Sequence, residues 1–229
     1  MKDKAVVLLS SGLDSTVNLY AAKNKWNVVL ALTFNYGQKA AQKELAAAKS
    51  LADEVKVPHQ VLEITWFKNF HRSSLLVDSE EIPTGDQVDI QSLEQSEKTA
   101  KSVWVPNRNG IFLNIAAAFA ESLGAKFVVP GFNAEEATTF PDNSQAFLDQ
   151  TTKAFSFSTA NQVEAVCLTT ALDKSAIVAQ GKLLKVPFEK MWPCYQSLEK
   201  WCGRCESCQR SKRAMLNNQL PIENWFLQV

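Results

Sequence analysis

The chain predicts a doubly wound, mostly parallel α/β sheet with a cysteine-rich C-terminal extension, and three observations lead there. Short valine- and leucine-rich runs alternate with helix-length segments, a turn of small residues follows the first run, and four of the five cysteines crowd between Cys194 and Cys208. Short continuous apolar runs bounded by turn signals mark strands buried on both faces, which is the pattern of a parallel sheet.

The elements follow in order. Ala5 to Leu9 reads as the first strand, ending in a Ser/Gly turn, with a helix from about Asp14. Val28 to Phe34 is the second strand, Lys39 to Val55 an alanine-rich helix, and Gln60 to Ile64 the third strand, so the first third is β-α-β-α-β. Gly110 to Leu123 is a strongly apolar helix stopped by Gly124, and Phe127 to Val129 and Val163 to Leu168 supply two further strands. Right-handed crossovers turn this alternation into a sheet with helices on both faces. Val77 to Ser102 is rich in Ser, Glu, Gln and Asp and too poor in apolar residues to bury much surface; it reads as a long loop, either a lid or a flexible insertion. From Pro187 tryptophan, proline and cysteine become dense, so residues 1–186 are expected to form the α/β domain and 187–229 a metal-stapled extension packed on it.

Bulk composition narrows the function. With 46% hydrophobic and 21% charged residues among 229, the chain can build a sizeable core and is not expected to be disordered. Lysine plus arginine equals aspartate plus glutamate at 24 each, so no net positive field gathers a polyanion, and a small-molecule substrate is favoured. Asp14 interrupts the N-terminal apolar run before a signal-peptide core or membrane span forms, so no membrane residence and a cytoplasmic location are expected.

Leu9-Ser10-Ser11-Gly12-Leu13-Asp14-Ser15-Thr16 joins a buried strand to a helix at the carboxyl edge of the sheet, where open α/β sheets bind ligands. Small residues let backbone N–H groups approach a phosphate, the helix N-terminus adds a favourable dipole, and Ser10, Ser15 and Thr16 carry hydroxyl donors. The Gly-Lys-Ser/Thr ending of a Walker A loop is absent, as is a GxGxxG fingerprint. An ordinary strand-to-helix turn is the bland alternative.

Cys194, Cys202, Cys205 and Cys208 are spaced C-x7-C-x2-C-x2-C around Gly203 and Arg204. Four thiolates close a tetrahedral site and leave no open position, so one structural Zn2+ is expected, with an iron–sulfur cluster the rival. Cys167, in an apolar run, reads as core. Trp192, Trp201 and Trp225 read as packing around the metal module, and His59 and His71 as isolated.

Ser10-Ser11-Gly12-Leu13-Asp14-Ser15 resembles the PP-loop, Ser-Gly-Gly-x-Asp-Ser, of the N-type ATP pyrophosphatases, which cleave ATP between the α- and β-phosphates to adenylate a substrate. The departure is Ser11 in place of glycine; if that position needs a positive φ, serine costs about 1–2 kcal/mol of local strain. Nearly the whole chain is similar to the QueC-like family of 7-cyano-7-deazaguanine synthases. Besides the loop and the cysteines the similarity rests on Phe34-Asn35-Tyr36-Gly37-Gln38, Val105-Pro106-Asn107-Arg108-Asn109 before Ile111-Phe112-Leu113, Gly131-Phe132-Asn133-Ala134-Glu135, and Pro193-Cys194-Tyr195.

The resemblance implies an adenine nucleotide alpha hydrolase-like, Rossmann-like fold and a reaction in which 7-carboxy-7-deazaguanine is adenylated by ATP with Mg2+. Ammonia then displaces AMP, and a second adenylation drives dehydration to the nitrile. It implies a nucleotide site that runs from Leu9 through Thr16 to Val17, Asn18 and Leu19, catalytic roles for Asp14, Ser15 and Lys174, and a homodimer. Arg108 and Lys174 are candidates to hold phosphate or carboxylate, and Asp142, after Phe140-Pro141, to accept the N–H pair of a guanine-like edge; Phe140 joins the substrate set. Solvated faces and a helix cap are the bland readings of these residues. Asn143 and Ser144 stand where the family usually has Cys-Arg, and Ala176 where it has glutamate, which keeps open a divergent enzyme that adenylates another substrate, a deazaguanine on a protein or nucleic acid among them. A nucleic-acid module using Arg204, Arg210, Lys212 and Arg213 is the third reading, opposed by the zero net charge.

Overall fold

The computed structural model describes residues 2–70, 73–76 and 80–227. His71 and residues 77–79, the head of the expected loop, lie outside the described residues. Five strands, β1 (Lys4–Leu8), β2 (Asn27–Asn35), β3 (His59–Glu63), β4 (Phe127–Val129) and β5 (Glu164–Ala165), form one sheet in the order β3-β2-β1-β4-β5. Every pairing is parallel.

Strand β1 is central, and Ala5, Val6 and Val7 are fully buried because helices cover both of its faces. Strand alternation sends Ala5 and Val7 into one core with α1 (Leu13–Lys25), α2 (Ala41–Glu54) and α6 (Lys174–Leu183). Val6 points into the other core, with Leu113, Ala116 and Ala120 of α4 (Arg108–Ser122) and Leu148 and Phe155 of α5 (Gln145–Ser158). The first core continues without a break into Cys194, Trp201, Cys208, Met215 and Phe226 of the C-terminal extension. Trp201 meets Trp225 and Phe226 edge-on at 5.6 and 5.1 Å, which is the packing role the tryptophans were expected to have.

The chain first winds outward from β1 to β3 and then crosses back to lay β4 on the other side of β1. This reversal opens a crevice beyond the carboxyl ends of β1 and β4, the switch point at which doubly wound sheets bind ligands. Ser10 to Ser15 form one lip and Pro130 and Gly131 the other.

Two expectations are corrected. The stretch expected as a loop up to Ser102 contains α3 (Leu93–Val103) and a 3-10 turn at Gly85–Gln87. Ser92 caps α3 by accepting Gln95 N–H at 3.3 Å, but its buried face is Ser96, Thr99, Ala100 and Val103, half of it polar, so no apolar period announced it. The fifth strand, expected over Val163 to Leu168, stops at Ala165; Leu168 N–H leaves the ladder and donates to the Asn18 side chain at 2.8 Å. Helices α5, α6 and α7 (Glu206–Asn217) were not anticipated.

Gly131 marks the closest approach of the two lips. A Cβ built there would come within 2.5 Å of Ser15 Cα, a backbone contact that no rotamer change relieves. Gly131→Ala is expected to lower the unfolding free energy by about 1–3 kcal/mol, read from urea denaturation. An unchanged midpoint would mean that the lips are not packed as described.

Candidate active site

The loop after β1 is held from behind. Thr33 Oγ1 donates to Leu9 O at 2.6 Å, Trp192 N–H donates to Ser11 O at 2.9 Å, and Asn18 of α1 bonds Asp14 O, Thr169 Oγ1 and Leu168 N–H. His59 Nε2 bonds Thr33 Oγ1 at 2.7 Å, so it is not isolated but buttresses this loop. Within the loop Ser10 and Ser15 hydroxyls meet at 3.0 Å. Ser11 has φ of 62°, the left-handed backbone for which glycine is the unstrained residue, so the cost of about 1–2 kcal/mol anticipated for serine applies. Gly12 caps α1 without a side-chain bond, leaving first-turn N–H groups directed at the crevice. Among the described residues Ser11 Oγ, Thr16 Oγ1 and one oxygen of Asp14 are buried without a hydrogen-bond partner. Buried polar atoms are rarely left so, and their gathering at an uncapped helix start suits an anion with its counter-ion.

Lys174, 2% exposed at the start of α6, reaches Asp14 Oδ2 and Glu136 Oε1, each at 2.7 Å. Burial disfavours its ammonium, but Asp14 and Glu136 together more than offset that and raise its pKa above the usual lysine range. Burial holds the Asp14 carboxyl up against the pull of Lys174, whereas Glu136 is lowered because Lys174 outweighs its burial. One ammonium therefore faces two carboxyls in a dry site.

Behind this cluster lies a second one. Glu135 Oε1 accepts Lys174 N–H at 2.9 Å and Arg213 Nη2 at 2.6 Å, and its other oxygen accepts Arg210 Nη1 at 3.1 Å. Arg210 also holds Glu206 at 2.8 Å and Ser96 at 3.3 Å, and Glu206 accepts Thr99 Oγ1 at 2.7 Å. Helices α3 and α7 are thus tied to the segment that presents Lys174. The same bonds commit Arg210 and Arg213 to carboxylates, which removes two of the four side chains considered for nucleic-acid contact.

The crevice is a cavity of about 220 Å3. Of the sequence-predicted residues, Leu9, Ser10, Gly12, Leu13, Asp14, Ser15, Lys174, Arg108 and Phe140 line it, while Ser11, Thr16, Val17, Asn18 and Leu19 are buried behind. Asp142 is half-buried in the turn Pro141–Asn143; Asn143 lines the cavity, and Asp142 Oδ1 accepts Asn143 Nδ2 at 3.1 Å. Ser144 caps α5, and Ala176 donates its N–H to the cap Asp173 at the start of α6, so both lie outside the cavity wall. Cys167, expected as core, is half-buried beside Phe132, Thr169 and Asn18.

Glu136, Glu44, Gln38 and Thr33 also line the cavity, and the sequence did not single them out as site residues. Gln38 closes the family-like stretch Phe34-Asn35-Tyr36-Gly37-Gln38 and Glu136 directly follows Gly131-Phe132-Asn133-Ala134-Glu135, but Glu44 sits among alanines on α2 with no signal. Gln38 Nε2 donates to Glu44 Oε2 at 2.8 Å and to Phe34 O at 3.0 Å, while Arg108 Nη1 donates to Tyr36 OH at 3.2 Å. Burial raises the Glu44 carboxyl to about 7, against smaller lowering by Gln38 and Arg108.

The four cysteines converge. Their sulfur atoms lie within 4.8 Å of one another and all four residues are buried; Cys202 and Cys208 sulfurs are 3.8 Å apart. A tetrahedron with metal–sulfur bonds of about 2.3 Å has edges of about 3.8 Å, so the set fits a four-coordinate soft metal. Backbone N–H groups of Cys202 and Gln196 point at Cys194 Sγ, and those of Arg204 and Cys205 at Cys202 Sγ, at 3.3–3.4 Å, as thiolates require.

Comparison with known proteins agrees with this geometry. The profile of a family described as "Queuosine biosynthesis protein QueC" matches residues 4–219. A protein of Bdellovibrio bacteriovorus named 7-cyano-7-deazaguanine synthase is 59% identical, covering 97% of each chain. One of the same name from Carboxydothermus hydrogenoformans is 49% identical over 94% of this chain and 100% of its own. Among solved structures, NMN synthetase from Francisella tularensis superposes with a TM-score of 0.51 at 15% identity, covering 99% of this chain and 81% of that one. A 4-thiouridine synthetase solved with RNA and ATP gives 0.54 at 16%, covering 95% and 52%; both show the fold. Among the described residues no helix is long and apolar enough to cross a membrane.

A carboxyl raised from 4.5 to about 7 by folding stabilises the folded state fully below pH 4.5, and that stability is lost as pH rises through 7. Up to about 3 kcal/mol is at stake. Glu44→Gln is therefore expected to flatten the fall in stability between pH 4.5 and 8, measured by urea unfolding at both pH values. Parallel wild-type and variant curves would rule out a buried ionisable Glu44.

Proposed function

The chain belongs to the QueC family, and from that premise we propose that it is an ATP-dependent carbon–nitrogen ligase making 7-cyano-7-deazaguanine from 7-carboxy-7-deazaguanine and ammonia, in queuosine precursor biosynthesis. The observation that carries the reading is the uncapped start of α1 facing the Asp14–Lys174–Glu136 cluster across one cavity, in a chain whose full-length relatives bear that synthase's name.

A carboxylate oxygen is a poor leaving group, and adenylation converts it to a good one. The loop N–H groups and the Ser10 and Ser15 hydroxyls hold the polyphosphate, and Lys174 lies where negative charge grows as pyrophosphate departs. Mg2+ supplies charge neutralisation and in-line geometry when bound; the unpartnered oxygen of Asp14 and the carboxylate of Glu136 are the groups suited to hold it. Ammonia attacks the acyl adenylate, the C–N bond forms as the bond to AMP breaks, and the amide oxygen is adenylated in turn before AMP leaves with formation of the nitrile. Arg108 serves a phosphate or a carboxylate, Phe140 with Trp104 stacked behind it at 6.0 Å supplies an apolar wall, and Asp142 stands two residues beyond Phe140. The cysteine cluster is given a structural Zn2+, and the enzyme is taken to work in the cytoplasm as a homodimer. Of the four family departures, Ser11, Asn143, Ser144 and Ala176, only Asn143 lines the cavity, which speaks for the unchanged substrate.

Two measurements test this. Incubation with ATP, ammonium and 7-carboxy-7-deazaguanine is expected to yield the nitrile by mass spectrometry, and Asp14→Asn with Ser15→Ala to cut AMP release by about 10³-fold or more; absence of nitrile, or AMP release untouched in the double variant, rejects the assignment. Elemental analysis of the colourless protein is expected to find one zinc per chain, with loss of zinc and a lowered Tm in Cys205→Ser, whereas a brown iron-containing protein would reverse the metal identity.

A further inference from the structure

Three carboxylates line the cavity, Asp14, Glu136 and Glu44. The first two share Lys174, but Glu44 makes no ion pair among the described residues. Among the described residues its side chain hydrogen-bonds only Gln38, itself locked because Tyr36 N–H donates to its Oε1 at 2.9 Å while its Nε2 also bonds Phe34 O. Gln38 can therefore orient the carboxylate but cannot turn to neutralise it. Arg108, the other cation in the wall, directs Nη1 to the Tyr36 hydroxyl. Burial accordingly keeps the Glu44 carboxyl up at about 7, as expected of an acid that lacks the donors it is built to receive.

A carboxylate held this way takes a ligand that offers two parallel N–H donors, since charge-assisted bidentate pairing satisfies both oxygens without a second charge. A guanine-type ring presents such a pair, the ring N1–H and the 2-amino group. Flat aromatic walls flank the same end of the cavity: Phe34 stacks on Phe112 at 4.0 Å, and Phe140 and Tyr195 join them. Gripping that edge sends the opposite side of the bicycle, which carries the 7-carboxyl, away from Glu44 and towards the loop at Ser10 to Ser15.

We propose that Glu44, oriented by Gln38, is the specificity-determining residue that accepts the N1–H and 2-amino donors of the deazaguanine substrate, the role the sequence offered to Asp142. This rests on the proposed function and adds to it the way the substrate is told from other deazapurines and aimed at the nucleotide.

The test is steady-state kinetics with ATP and ammonium on 7-carboxy-7-deazaguanine and on its 2-desamino analogue. The wild-type enzyme is expected to favour the amino compound by about 100-fold in kcat/KM. Glu44→Gln, which replaces one acceptor by a donor facing the 2-amino group, is expected to raise KM about 100-fold with kcat within about threefold and to shrink the discrimination below about fivefold. Equal wild-type use of the two compounds, or an unchanged KM in the variant, overturns the assignment and leaves the proposed function standing. No turnover of either compound by the wild-type enzyme removes both. Should the variant not fold, wild-type discrimination decides alone.

Discussion

The site depends on a lysine that the fold has taken out of water. A buried ammonium is tolerable only with carboxylates in contact, and removing one partner of such a set leaves an uncompensated charge at a cost of about 3–5 kcal/mol. Lys174 therefore fixes the relative positions of three chain segments remote in sequence: the start of α1 through Asp14, the segment after β4 through Glu136, and its own helix α6. Those segments are the lips of the crevice at the sheet's switch point. A polar contact, not the apolar core, sets the shape of the cavity where it matters.

The C-terminal extension acts on the same point by another route. Its helix α7 carries Cys208, Arg210 and Arg213 within six residues, so the cysteine cluster and the arginines that hold Glu135 share one rigid element. Glu135 accepts the backbone N–H of Lys174, and its neighbour Glu136 accepts the side chain. Trp192 N–H, two residues before Cys194, bonds the carbonyl of strained Ser11. The cysteine cluster thus braces both the loop after β1 and the lysine facing it, and the same network fastens α3 through Ser96 and Thr99. A segment so fastened is a strut and not a lid.

The sheet and the loop were legible because the signals were local. Strands β1, β2 and β4 are apolar runs between turn residues, and Ser11 declared its strain through a single departure from a glycine-rich motif. The cysteines were legible for the same reason: their convergence is written in their spacing. What escaped was the structure whose burial is polar. Helices α3 and α7 bury Ser96, Thr99, Glu206, Arg210 and Ser211, residues that read as solvated in any hydrophobic pattern until their partners across the fold are known. Glu44 and Glu136 were unreadable as site residues on the same ground, since what distinguishes each from a surface acid is the company that tertiary structure gives it.

A chain with no net charge can still present a strongly divided field where it binds. At one end of the cavity the fixed charges are already paired; at the other a carboxyl raised by burial to about 7 stands among aromatic rings. In the proposed reading the two poles suit different groups: Glu44, ionised by the donors of a bound ring, would repel phosphate, and the loop of N–H groups offers a ring edge no acceptor. On that reading charge alone sets which ligand lies at which end of the cavity.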